Sequence, residues 1–194
     1  MNATVAKTSY NRNKIHPQKF ALWVACAGIT MMFVALTSAY LVRRAAGNWI
    51  EFALPDIFTW STLVIILSSI TLYGASRSFK KGNIQLYKGL LISTFILGLA
   101  FVSVQYQGWL ALKDLLGLPL GTNPSSDFVY AISMIHVAHV MGGIGVLTVA
   151  LVHGFSLPSK VTPTRLLRLE LTSTYWHYVG VLWVYLFVFL AFLT

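Results

Sequence analysis

Four ionisable side chains stand out at membrane depth in the last two long apolar runs of the chain: His136 and His139 in one, Glu170 and His177 in or beside the other. A charged group at a helix centre in hydrocarbon costs about 2.5–3.5 kcal/mol on insertion scales, so such groups face a protein interior and have partners there. Residues three apart on a helix share a face, which points His136 and His139 the same way. Four readings fit side chains of this kind: a metal or haem site, a proton relay, a pocket for a lipid headgroup, or an interhelical hydrogen-bond clamp. The clamp is worth about 0.6 kcal/mol per bond and up to 1–2 in membranes. Two histidines three apart on one helix cannot sandwich a single iron, so a haem b anchor would have to use His139 with His177. A relay wants a chain of carboxylates, and the other long apolar runs carry none in their interiors.

The elements that must position these groups follow from composition. With 57% hydrophobic and 10% charged residues in 194, the chain exceeds the apolar fraction of roughly 45–50% found in soluble domains. Five runs are long enough to cross about 30 Å of hydrocarbon, which takes about 20 helical residues. They are Phe20 to Val42, Ile57 to Ser76, Tyr87 to Leu112, Phe128 to Phe155 and Leu171 to Thr194. The third and fourth are long enough to tilt or project beyond the bilayer. Turn residues Pro119, Gly121, Asn123 and Pro124, and then Pro158 and Pro163, mark two of the breaks. The expected fold is all-α: a bundle of five transmembrane helices over residues 20–194, preceded by a basic tail over residues 1–19.

The net charge of +9 reflects topology rather than a nucleic-acid partner, because the basic residues lie at the ends of the apolar runs. With Lys88 counted in the second loop, the tail and the second and fourth loops hold 11 of the 14 Lys and Arg. That asymmetry predicts a cytoplasmic N-terminus and a C-terminus outside. The first run is too long for a signal-peptide core and reads as a retained span. The single Cys26 allows no disulfide framework.

Depth then brings the ionisable groups together. If the fourth span enters near Phe128, His139 lies roughly 17 Å down; if the fifth rises from Glu170, His177 lies roughly 10 Å up. In a core about 30 Å thick these levels nearly coincide. A polar cluster of His139, His177 and Glu170 is therefore expected between the last two spans. Gly142, Gly143 and Gly145 mark the fourth span as a packing hub that lets a neighbouring backbone approach closely. The aromatic set Tyr175, Trp176, Tyr178, Trp183 and Tyr185 reads as packing and interface anchoring. Arg77, Lys80 and Lys81 could meet anionic headgroups but are first of all a topology signal, while His16 and His153 are interfacial or solvated. No phosphate loop, nucleophile with a base, or cysteine-histidine zinc pattern is present.

Several motifs resemble subunit III of haem-copper oxidases in its short, five-helix form. Glu170 followed by Tyr175-Trp176-His177-Tyr178-Val179 and Trp183 is similar to that family's last-helix signature, with the Glu-to-His spacing of seven preserved. His136-Val137-Ala138-His139-Val140 with Gly142 and Gly143 resembles its His-x-x-His-Val-x-x-Gly segment. Trp23 followed by Phe33, Ala35, Leu36, Ser38, Ala39, Tyr40 and Leu41, and then Phe101, Gln105 and Trp109, match two further patterns. The likeness runs in order from about Phe20 onward.

The resemblance implies an accessory subunit without catalytic residues, metal or redox cofactor of its own, in a bacterial inner (plasma) membrane. It would pack on the catalytic subunit I, beside subunit II, with the haems and copper held by those partners. In the family a V-shaped cleft holds phospholipids, and the subunit supports sustained oxygen reduction and proton pumping. On that reading His136, His139, Glu170, Tyr175, Trp176 and His177 form a structural and lipid-binding cluster. Three acids common in the family are replaced here by Ile29, Gly108 and Gly180, so proton-antenna roles at those positions do not carry over.

Overall fold

The computed structural model describes residues 16–156 and 161–193. Most of the basic tail, the turn at Pro158 and the terminal Thr194 therefore lie outside the described residues. Five helices account for nearly all the rest: α1 Pro17–Ala45, α2 Ile57–Lys80, α3 Ile84–Asp114, α4 Pro124–Ser156 and α5 Pro163–Leu193. Each is long and apolar enough to cross a membrane, and no strand occurs among the described residues. The five-helix fold expected from hydropathy is the fold observed.

The helix ends outrun the apolar runs because polar residues at the ends still satisfy backbone groups. α1 begins at Pro17, three residues before Phe20, with the His16 ring accepting from the Gln18 amide. A proline at the first helical position loses no hydrogen bond there. Between α2 and α3 the chain reverses within three residues. Gly82 takes φ +76°, its amide reaches Phe79 O, and the Asn83 amide reaches Ser78 O. This is a Schellman stop, for which glycine is suited because it bears no Cβ. The Asn83 side chain then caps α3 by accepting from the Leu86 amide.

The helices do not pack as five equivalents. α2, α3, α4 and α5 touch in a closed ring, each against its two neighbours, whereas α1 touches only α4 and α5. α1 accordingly buries just Cys26, Phe33, Thr37 and Tyr40, a single stripe at near-heptad spacing. Because α1 and α2 do not meet, the α5 surface between them is left as the floor of a groove.

Lipid tails are as apolar as leucine, so helix association in membranes relies on close packing and interhelical hydrogen bonds. Each helix of this bundle makes at least one to another helix. Gln105 Nε2 donates to Ser61 Oγ at 2.9 Å across α3 and α2, and Trp109 Nε1 to Ser133 Oγ at 2.9 Å across α3 and α4. Trp183 Nε1 reaches Thr62 Oγ1 and Trp176 Nε1 reaches Ser68 Oγ, both at 2.9 Å across α5 and α2. Tyr175 Oη donates to His139 O at 3.0 Å across α5 and α4. α1 is fastened to α5 by a repeated pair: Thr30 with Tyr178 at 2.9 Å and Thr37 with Tyr185 at 3.1 Å. The two threonines and the two tyrosines are each seven residues apart, so two parallel helices keep their register over two turns.

Candidate functional site

Four consecutive residues of α5 face four different surroundings. Successive side chains on a helix turn by about 100°, and residues 175–178 divide the bundle accordingly. Tyr175 points to α4, where it meets the His139 carbonyl. Trp176 fills the ring interior and is completely buried. His177 lines the open groove of α1, α2 and α5. Tyr178 turns to α1, donating to Cys26 O at 2.9 Å.

Trp176 joins the whole ring. Beyond its bond to Ser68 on α2, its ring lies against two glycines. A Cβ at Gly98 of α3 would stand 2.8 Å from Trp176 Cη2, and one at Gly143 of α4 would stand 3.0 Å from its Cε3. Gly143 of α4 thus accommodates an indole ring rather than the neighbouring backbone expected from the sequence. Gly145 meets nothing within 4 Å and takes no part.

His136 and His139 share one neighbour and then diverge. Both rings sit edge-on to Phe33 of α1, at centroid separations of 6.1 and 5.8 Å. His136 continues inward, fully buried against Trp183 at 5.0 Å and Phe101 at 6.0 Å. Neither of its ring nitrogens has a hydrogen-bond partner, and the Oε1 of buried Gln105 is likewise unpaired. A charge on that ring would be surrounded by aromatic carbon with no counter-ion, an expensive arrangement. His139 stays half-buried at the α1 and α4 seam, its Nδ1 2.8 Å from Ile135 O.

Glu170 pairs with lysines, not histidines. Its carboxylate lies 2.7 Å from Lys19 Nζ on α1 and 3.6 Å from Lys80 Nζ on α2. The expected cluster of His139, His177 and Glu170 is therefore divided. Glu170 and His177 share the groove, His136 and Trp176 lie in the ring interior, and His139 and Tyr175 lie at the α4 seam. The level was right, because Tyr175 does meet His139. Depth alone leaves the azimuth open, and two residues further along α5 the side chain has swung about 200° away. His139 and His177 consequently face different surfaces and do not form the opposed pair that a haem b anchor needs. Among the described residues, no group of three or more His, Cys, Asp and Glu side chains could hold a metal ion.

The groove itself has a volume of about 570 Å³ and is lined by Lys19, Arg77 and Lys80 as well as Glu170 and His177. Sequence reasoning matched Glu170 only with the fourth span and missed the lysines. The signal was available, since by hairpin counting the start of the first span and the end of the second lie at the same end of the bundle as Glu170.

Two of the three acid positions have a steric explanation. A Cβ at Gly108 would lie 2.9 Å from Phe58 Cζ, and one at Gly180 would lie 3.0 Å from Ser69 Oγ. At 108 a carboxylate would have to displace the buried Phe58 ring, whereas at 180 the Ser69 hydroxyl would have to give way by a few tenths of an ångström. Ile29, the third, packs its side chain against the core.

Several of the residues that carried the resemblance join the helices. Phe33 supports both histidines, Tyr40 donates to Leu193 O at 2.7 Å, and Gln105, Trp109, Trp176 and Trp183 supply the interhelical bonds. Comparison with known proteins agrees. The chain is 27% identical to cytochrome c oxidase subunit 3 of Thermostichus vulcanus, covering 85% of this chain and 82% of that one. It is 26% identical to a probable cytochrome c oxidase subunit 3 of Nocardia farcinica, over 95% and 91% of the two chains. It is also 26% identical to the cytochrome bo(3) ubiquinol oxidase subunit 3 of Buchnera aphidicola, over 94% and 95%. The family model described as cytochrome c oxidase subunit III matches residues 51–194, nearly three quarters of the sequence, and with the interhelical contacts above it shows that the chain belongs to the cytochrome c oxidase subunit III family.

Proposed function

We propose that this subunit III packs on the catalytic subunit I of its oxidase, beside subunit II, and holds phospholipid there while the haems and copper of those partners reduce oxygen. Family membership makes the chain an accessory subunit of a haem-copper oxidase and a component of an oxidoreductase complex. The match over residues 51–194 carries the reading. The interior supports it, because the buried indoles, hydroxyls and amide are engaged in holding helix to helix. Relatives named for cytochrome c and for ubiquinol oxidases lie at comparable distance, so the electron donor is a property of other subunits.

The orientation we infer has Lys19, Arg77, Lys80 and Glu170 at the cytoplasmic end, from the excess of Lys and Arg in the tail and even-numbered loops. The bacterial relatives favour a bacterial inner membrane. Within the site, His136, Trp176, Tyr175 and His139 act as structural groups, and Glu170 and His177 face bound lipid.

Affinity purification through this chain from its native membrane tests the reading. A haem-copper catalytic subunit should copurify and account for all haem absorption, and the chain purified alone should show no Soret band. A Soret band on the isolated chain that disappears in His139→Ala would overturn the accessory reading in favour of a haem-binding anchor.

A further inference from the structure

α1 is held unevenly along its length. Its C-terminal part buries Phe33, Thr37 and Tyr40, and Thr37 and Tyr40 bond to Tyr185 Oη and Leu193 O of α5. Residues 17–25 bury nothing: Lys19 and Leu22 are half-buried and the rest are exposed. Open space flanks this segment on both sides. Towards α2 the groove of about 570 Å³ is lined by its Lys19, Leu22 and Trp23. Towards α4 a cavity of about 420 Å³ is lined by its Gln18 and Leu22, with Gly142 and Val146 opposite. Among the described residues, its one polar tie to the rest of the bundle is Lys19 Nζ on Glu170, at 2.7 Å.

The helix is weak where its two parts meet. Cys26 O is the acceptor for the amide four residues on in a regular helix, yet it also takes Thr30 Oγ1 and Tyr178 Oη, both at 2.9 Å. Back-bonding of this kind loosens and bends helices. Gly28, between them, weakens a helix interior, and packing does not require it, since a Cβ there would meet nothing within 4 Å.

Charge sets the direction in which such a segment would move. Glu170 takes Lys19 of α1 on one oxygen and, at 3.6 Å, Lys80 of α2 on the other, although α1 and α2 do not touch. Without the carboxylate charge, Lys19 would face Lys80 and Arg77 across the groove, and like charges repel. α2 is packed on both α3 and α5, so residues 17–25 are the part free to give way.

We propose that residues 17–25 form a strap, hinged at residues 26–30 and latched by Lys19 on Glu170, that swings from α2 into the cavity beside α4 when the latch is lost. The mouth of the groove then widens while the ring of α2 to α5 keeps its seams. The strap goes beyond the accessory role, because it assigns a moving part to a chain otherwise built to hold its helices together. A weak tie suits a latch: both side chains are 40% exposed, and a pair of that kind changes an equilibrium by at most about fivefold.

Double electron-electron resonance on the whole complex that copurifies with this chain tests the strap. Spin labels on p-acetylphenylalanine at the exposed positions Phe20 and Lys81 report it against the end of α2. Labels at Val42 and Trp60, also exposed, report the opposite ends of the same two helices. Glu170→Gln should raise the ratio of long to short Phe20-to-Lys81 distances by up to about fivefold and leave the Val42-to-Trp60 distribution as in the parent. Adding Lys19→Gln removes the repulsion and should return the ratio towards the parent value. Adding Gly28→Ala instead stiffens the hinge and should narrow the distribution. An unchanged Phe20-to-Lys81 distribution in Glu170→Gln, an equal displacement of the Val42-to-Trp60 pair, or no response to either added substitution would each overturn the proposal.

Discussion

Replacing Gly98 by alanine isolates the packing of Trp176. In a helix interior the change from Gly to Ala favours the helix by up to about 1 kcal/mol. At Gly98 the new methyl group would meet Trp176 Cη2 at 2.8 Å and Cζ2 at 3.1 Å. The ring has little room to retreat, because Gly143 bounds its other edge and Ser68 holds its Nε1. Overpacking of this kind costs about 1–3 kcal/mol. Gly98→Ala should therefore destabilise the chain by about 0–2 kcal/mol net. Gly145→Ala is the reference: it gains the same propensity at a position with nothing within 4 Å. The difference between the two variants cancels propensity and leaves the packing cost, about 1–3 kcal/mol, or roughly five- to 140-fold in the unfolding constant. Reversible SDS unfolding in mixed micelles, followed by far-UV circular dichroism, reads it directly. In a double-mutant cycle Gly98→Ala should cost less in a Trp176→Phe background than in the parent, because the shorter ring no longer reaches the methyl. If Gly98→Ala and Gly145→Ala agree within about 0.5 kcal/mol, the wedge is not tight and the reasoning fails.

Other outcomes follow from the same geometry. Restoring an acid by Gly108→Glu should destabilise by at least about 1–3 kcal/mol, since its Cβ meets Phe58 at 2.9 Å, and thermal unfolding should show partial rescue by Phe58→Ala. Tyr178→Phe and Tyr185→Phe should each cost about 0.6 kcal/mol, with a ceiling near 1.7. Their effects should add because the two sites share no partner, and hydrogen exchange should rise in α1 before it rises in α2 or α3. Glu170→Gln removes a pair whose side chains are both 40% exposed, so it should cost less than about 1 kcal/mol at low salt and nothing measurable at 1 M salt.

The sequence made some levels of this structure legible and left others hidden. Hydropathy located all five helices, since a run that must cross hydrocarbon has to be long and apolar. Helix boundaries were less accessible, because the polar ends of Pro17 and Lys80 continue the helix beyond the apolar run. Apart from the pairing of the last two spans, which the structure bears out, which neighbour each helix has was not legible. Period and depth do not fix azimuth, so His177 and Glu170 were assigned to the wrong partners, and the residue that meets the His139 carbonyl is Tyr175. The glycines marked close approach, and the structure shows what approaches: the Trp176 indole at Gly98 and Gly143, and Phe58 at Gly108. In the sequence those last two looked like a packing motif and a lost acid, but both positions answer to aromatic rings on other helices.

The distribution of unpaired polar groups supports the proposal that a chain so rich in indoles and hydroxyls leaves oxygen chemistry to its partners. Proton transfer needs groups that can still give and take a hydrogen bond, joined in a path. In the ring interior Ser61, Thr62, Ser68, Ser133, Trp109, Trp176 and Trp183 are engaged across helix seams. Interior groups left over include the nitrogens of His136 and Oε1 of Gln105, and the imidazole is walled by Phe33, Phe101 and Trp183. Ser76 and His177 lie instead in the groove beside Arg77. One set is enclosed by aromatic rings and the other opens at a helix end, so the interior groups are suited to holding helices.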